Sequence, residues 1–138
     1  MQKNRIFLIL TLLLMSKFAF ADVEKINNEQ LKNLISKAIP LIDIRTPDEW
    51  LDTGVIKGSH LITFYDENGN FNSEEWLFKL QKIAGESDPL IIICRSGRRS
   101  HLVSKYLDEE ISYAKIFDAT EGMIAWKNAN YGTVGPKL

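Results

Sequence analysis

Short unbroken apolar runs alternate along the chain with stretches whose apolar residues recur every three or four positions. Asn27 or Asn28 can cap a helix with Leu31, Leu34, Ile35 and Ala38 at i, i+3, i+4 and i+7, ended by Pro40. Leu41-Ile42-Asp43-Ile44 then reads as a short buried strand. Thr46, Pro47, Asp48 and Glu49 open a second helix, with a hydroxyl cap, proline in the first turn and acids behind it; Gly54 closes it. A strand at Ser59-His60-Leu61-Ile62 and a turn-rich loop around Gly69 follow. Asn72 with Glu75 starts the next helix, through Trp76, Leu77, Leu80 and Ile83 to Gly85. Leu90-Ile91-Ile92-Ile93 is apolar throughout, the mark of a strand covered on both faces. A helix from Ser100 with Leu102, Val103, Tyr106 and Leu107, a strand at Ala114-Lys115-Ile116-Phe117 and a last helix opened by Thr120 and Glu121 complete the pattern. Lys25-Ile26 reads at most as a brief edge strand. Strands alternating with helices through short connections predict an α/β fold, a parallel sheet with helices on both faces.

Length changes little in this picture: 138 residues fit one domain. Before the first predicted helix, Lys3 and Arg5 precede an apolar run from Ile6 to Met15, and Ala19-Phe20-Ala21 has the small-x-small pattern of a cleavage site. The run is shorter than the ~20 residues of a membrane-spanning helix. Residues 1–21 are therefore expected to be a cleaved signal peptide and residues 22–138 a single domain. That places the protein outside the cytoplasm, periplasmic in a Gram-negative bacterium or otherwise secreted, with no stable membrane association after cleavage. The chain from residue 22 carries 14 basic against 18 acidic residues, a net of −4, and nothing in that balance points to nucleic acid.

Charge matters locally. Of five arginines, Arg95, Arg98 and Arg99 fall within five consecutive positions, directly behind the single cysteine, Cys94. A lone thiol cannot form an internal disulfide, and in an oxidising compartment it is either buried or used. Here the most buried predicted strand delivers Cys94 to the carboxyl edge of the sheet, where ligands bind in open α/β folds. The segment Arg95-Ser96-Gly97-Arg98-Arg99-Ser100 is polar and cationic, and it runs straight into a helix. Such a turn aims backbone N–H groups and a helix N-terminus inward, which favours thiolate over thiol and suits a tetrahedral oxyanion. The chemistry this allows is thiolate attack on sulfane sulfur or on phosphorus.

Residue by residue, Arg95 is expected to bind the anionic donor, and Arg98 to face solvent or that donor. Arg99 is expected to tie loop carbonyls or Asp43 together. Ser96 and Gly97 contribute N–H groups, and Ser100 is expected as the helix N-cap. Asp43 and Arg45 read as a structural ion pair or loop anchor, with Arg45–Glu49 as a further candidate pair. His60 and His101 have no metal-ligand spacing with Cys94, so no metal site is expected; His101 is close enough to the loop for a supporting role.

The loop Cys94-Arg95-Ser96-Gly97-Arg98-Arg99-Ser100 resembles the Cys-Arg-Ser-Gly-x-Arg-Ser active loop of the rhodanese family. Leu41-Ile42-Asp43-Ile44-Arg45 with Glu49-Trp50 is similar to that family's Asp-x-Arg…Glu-Trp/Phe segment. Gly54-Val55-Ile56-Lys57-Gly58-Ser59 is similar to its Gly-His-Ile-Pro-Gly-Ala motif, with Val55 and Lys57 departing from it. Glu121-Gly122-Met123-Ile124-Ala125-Trp126 is similar to its closing Gly-Gly-x-x-Ala-Trp. The resemblance implies a three-layer α/β/α fold around a parallel five-stranded sheet and no cofactor. It also implies transfer of sulfur from thiosulfate or a similar small anionic donor, through a Cys94 persulfide, to cyanide or a thiol. A loop of this length is the one the family associates with sulfur transfer; its phosphatase relatives have longer loops. Two other readings stand beside the enzyme: a persulfide carrier serving a protein sulfur acceptor, and a binding module without turnover.

Overall fold

The computed structural model describes residues 22–138; the signal peptide expected over residues 1–21 lies outside the described residues. In chain order the elements are β1 (Asp22–Ile26), α1 (Asn28–Ser36), β2 (Leu41–Asp43), α2 (Pro47–Thr53), β3 (His60–Leu61) and α3 (Ser73–Gln81). They continue with β4 (Pro89–Ile93), α4 (Arg98–Tyr106), a π-helical turn at Leu107–Ile111, β5 (Lys115–Ala119) and α5 (Gly122–Asn128). The five strands form one sheet in the order β1-β5-β4-β2-β3, and every neighbouring pair is parallel. Each strand-to-strand connection therefore has to cross a face of the sheet, which is where the helices lie.

The middle strand, β4, shows how the layers arise. Its register sets Leu41, Ile42 and Asp43 beside Ile91, Ile92 and Ile93. With Leu90 and Ile92 on one face and Ile91 and Ile93 on the other, all four are fully buried. Leu90 and Ile92 pack with Trp76 and Leu80 of α3 and Val103 of α4. Ile91 and Ile93 pack with Leu31 of α1 and with Met123 and Trp126 of α5. The result is the expected three-layer α/β/α sandwich around a five-stranded parallel sheet.

The caps explain where helices start. Asn27 accepts from the Gln30 N–H at 2.9 Å while the Gln30 side chain accepts from Asn27 N–H, a complete capping box. Thr46 and Glu49 form a second one around Pro47. Asn72 accepts from Glu75 N–H at 3.1 Å.

Several boundaries differ from the expectation: β2 is Leu41–Asp43, β3 only His60–Leu61, β5 runs Lys115–Ala119 and α4 starts at Arg98. Helix α1 stops at Ser36, because Ala38 adopts a left-handed φ of 60° and so lies beyond the helix it was read into. Helix α3 ends at Gln81, well short of Gly85, whose N–H is taken by Asp88 Oδ2. The edge strand is longer than Lys25-Ile26, since β1 pairs with β5 over five residues, from Asp22↔Lys115 to Ile26↔Ala119. Among the described residues no helix is long and apolar enough to cross a membrane.

Candidate active site

Cys94 follows Ile93 at the carboxyl end of the middle strand and continues the Leu90, Ile92 alternation, so its side chain faces the α3–α4 layer. It is 1% exposed. The chain then doubles back into α4, and two backbone donors of that turn converge on the sulfur. Gly97 N–H donates to Sγ at 3.1 Å and Ser100 N–H at 3.4 Å. The first N–H groups of a helix have no partner within it, and here two of them find one in sulfur. Both favour a negatively charged sulfur, as does the positive end of the α4 dipole.

The loop owes its shape to the neighbouring turn between β5 and α5. Gly97, not Ser100, is the N-cap of α4, and its φ is +94°. A Cβ built on Gly97 would sit 1.7 Å from Thr120 O, so only glycine passes there. Gly122 is equally constrained: at φ +62°, its Cβ would meet Arg95 O at 2.5 Å and Cys94 O at 2.7 Å. Those two carbonyls are held by the start of α5, with Met123 N–H donating to Cys94 O at 2.9 Å and Ile124 N–H to Arg95 O at 3.0 Å. Ser100 falls in the first turn of α4, where its hydroxyl lies 2.7 Å from Asp118 Oδ1 and 3.1 Å from Gly97 O.

Arg45 and Arg99 are held by carboxylates, whereas Arg95 and Arg98 stand exposed. Arg99 makes a two-pronged pair with Glu49, Nη1 to Oε2 at 2.8 Å and Nη2 to Oε1 at 2.6 Å, in place of the loop carbonyls or Asp43 expected for it. Glu49 is therefore not the ion-pair partner of Arg45, which takes only the Glu49 backbone carbonyl, at 3.3 Å. Arg45 instead pairs with Asp43 (2.7 Å, both side chains 1% exposed) and donates to Thr53 Oγ1 and Gly54 O. Through Thr63 Oγ1, which donates to Arg45 O at 2.8 Å, the pair also ties down the segment after β3. Arg95, Ser96 and Arg98 are exposed on the outer side of the loop. Beside Arg95 opens a cleft of about 380 Å³, walled in part by Glu49, Asp52, Met123 and Lys127.

Burial pushes the Glu49 carboxyl up, but the Arg99 guanidinium and the hydrogen bonds from Thr46 outweigh it and bring it down from an ordinary 4.5 to about 2. A carboxyl depressed in the fold contributes stability that is present above its unfolded value and is lost as pH falls through the folded one. Wild-type protein should thus lose thermal stability from about pH 4.5 down to about 2. Glu49→Gln should lose less over that window and start about 1 kcal/mol lower at neutral pH. Parallel acid profiles for the two proteins would count against the bridge.

Sequence alone points two contributors elsewhere and leaves a third unnamed. Glu49 reads as part of a helix start and as a candidate partner of Arg45, but its reach to Arg99 spans 50 residues and has no local signal. Gly122 belongs to a motif that does not announce its close approach to the Cys94 and Arg95 carbonyls. Asp118 is the unnamed one, although an acid inside the apolar stretch Ile116-Phe117-Asp118-Ala119 is a signal in itself. His101 stands half exposed with Nδ1 3.7 Å from Asp118 Oδ2. Among the described residues, no group of three or more His, Cys, Asp or Glu side chains is placed to hold a metal ion.

Comparison with known proteins points one way. The profile of the rhodanese-like domain family matches residues 27–129. A protein of Allochromatium vinosum named sulfurtransferase is 28% identical over 122 residues, covering 83% of this chain and 98% of its own. SseA of Mycobacterium bovis, whose name contains the words thiosulfate sulfurtransferase, is 27% identical over 113 residues, 69% of this chain; the match spans only 38% of SseA. Among solved structures, the polysulfide-sulfur transferase of Wolinella succinogenes superposes with a TM-score of 0.64 at 20% identity, covering 86% of this chain and 83% of that one. At that identity the likeness concerns the fold.

Proposed function

Because this chain belongs to the rhodanese-like domain family, whose sulfurtransferase-named members point to sulfur transfer in general, we propose that it carries sulfane sulfur on Cys94 as a thiosulfate:acceptor sulfurtransferase. The observation that carries the proposal is the pair of N–H groups on Cys94 Sγ, at 3.1 and 3.4 Å, at the mouth of a cationic loop. In the first half-reaction the Cys94 thiolate attacks the outer sulfur of thiosulfate. A Cys–S bond forms, the S–S bond of the donor breaks, and sulfite leaves with the electron pair. The persulfide that remains is anionic at its outer sulfur and is served by the donors that served the thiolate. In the second half-reaction cyanide or a thiolate attacks that outer sulfur, takes it, and returns Cys94 as thiolate. The attacking form is the thiolate, to which the Gly97 and Ser100 N–H groups donate.

Arg95 and Lys127, in the cleft beside the loop, give an anionic donor its counter-charges. Arg98, on the exposed side, is suited to receive the donor. Asp43 and Arg45 act from below, as the anchor of the segments around the loop. The proposal keeps the export reading of residues 1–21 and a location in the periplasm or outside the cell.

Incubation with thiosulfate alone should add the mass of one sulfur atom to the protein, and cyanide should remove it as thiocyanate. No adduct with thiosulfate or with polysulfide would favour a binding module instead. An adduct that cyanide and small thiols leave in place would favour a carrier for a protein acceptor. The same intact-mass measurement on exported material reads whether the chain starts at Asp22.

A further inference from the structure

Asp118 breaks the pattern of its strand. It stands on the face of β5 shared with Ile116, opposite Ile92 of β4, in a position fully buried against the α4 layer. An acid there has to be compensated by partners, and an apolar residue of similar size would carry no such cost. The partners are few. Oδ1 lies 2.7 Å from the Ser100 hydroxyl, and buried Oδ2 has no hydrogen bond among the described residues. His101 Nδ1 lies 3.7 Å from Oδ2, and Lys25 is the register neighbour on β1. Burial pushes the carboxyl up, against the Ser100 hydrogen bond and the charges of His101 and Lys25.

What the acid holds is informative. Ser100 presents two groups in opposite service: its hydroxyl goes to Asp118, and its N–H goes to Cys94 Sγ. That N–H contact, at 3.4 Å, is the longer of the two on sulfur and so the more sensitive to small shifts of the first turn of α4. The hydroxyl has a second acceptor in Gly97 O, 3.1 Å away, so without Asp118 it would turn back into the loop. We infer that Asp118 is a positioning residue for the reaction: through the Ser100 hydroxyl it fixes the Ser100 N–H over Cys94 Sγ. The inference rests on Cys94 being the nucleophile.

The test reads Cys94 directly. The chain has one cysteine, so its alkylation by iodoacetamide, followed by intact mass at neutral pH, reports on that sulfur alone. Asp118→Ala and Ser100→Ala should each slow alkylation about tenfold, since both release the same hydrogen bond on the Ser100 hydroxyl. The double variant should be no slower than the slower single one, because the two groups act as one unit. Asp118→Asn keeps an oxygen for the Ser100 hydroxyl and should return the rate to within about twofold of wild type. Wild-type alkylation in Asp118→Ala would overturn the inference. So would losses that multiply in the double variant, or an Asp118→Asn protein as slow as Asp118→Ala. Should Asp118→Ala fail to fold, Ser100→Ala decides, with a wild-type rate there counting against the inference. These rates are independent of turnover, so a protein that shows this pattern but moves no sulfur would defeat the proposed function and leave the positioning role in place.

Discussion

Cys94→Ser should lower thiocyanate formation from thiosulfate and cyanide by at least ~10³-fold. The substitution is close to isosteric, and a serine oxygen could still accept the N–H groups of Gly97 and Ser100 that now reach sulfur. The fold should therefore survive it, with stability within about 1 kcal/mol of wild type. What is lost is the chemistry. Two N–H groups and a helix end can hold a thiolate, but a serine hydroxyl stays protonated in the same setting. No second thiol exists in the chain to take over. Thiosulfate should leave no mass adduct on the variant. Turnover by Cys94→Ser at the wild-type rate would sink the assignment of the nucleophile. Wild-type thermal unfolding beside lost turnover would show that the loss is local. This chain has no second cysteine to resolve a persulfide as a disulfide, so under the proposed function the sulfur on Cys94 would pass to an acceptor outside the chain.

The parts of the site that were legible in the sequence are those whose cause is local. Leu90 to Ile93 announce a strand covered on both sides, and a strand of that kind delivers the next residue to the sheet edge. Thr46, Pro47 and Glu49 announce a helix start because each supplies its own piece of the cap. What was not legible has causes elsewhere in the chain. Ser100 has the chemistry of an N-cap, yet the cap is Gly97, because Thr120 O presses on the loop from another segment. Arg99 has Asp43 nearby in the sheet, yet the forked carboxylate it meets belongs to Glu49, turned toward it by the capping box of α2. Strand β1 shows little alternation of its own, and its length comes from β5, which offers a parallel edge along five residues. The buried acid at 118 makes sense only with Ser100 across from it.

Gly97→Ala should be the most damaging change in the loop that leaves Cys94 in place. Two costs combine. A residue with a side chain resists a φ of +94°, at about 1–3 kcal/mol. The new methyl would also overlap Thr120 O, only 1.7 Å from its ideal position, so the backbone on one side must move. Because the clash is with a carbonyl, no substitution of the Thr120 side chain can relieve it. Movement of the loop withdraws the shorter of the two donors on Sγ, the Gly97 N–H at 3.1 Å. Removing one donor of this kind from a reacting centre typically lowers the rate ~10²–10³-fold, and that is the loss expected here in sulfur transfer. Stability should fall by roughly 3 kcal/mol. Gly132→Ala supplies the contrast, since nothing lies within 4 Å of the position its Cβ would take. Sulfur transfer and thermal unfolding should both stay at wild-type values there. Wild-type transfer by Gly97→Ala would mean that the loop tolerates the displacement and that the N–H of Gly97 does not serve the sulfur.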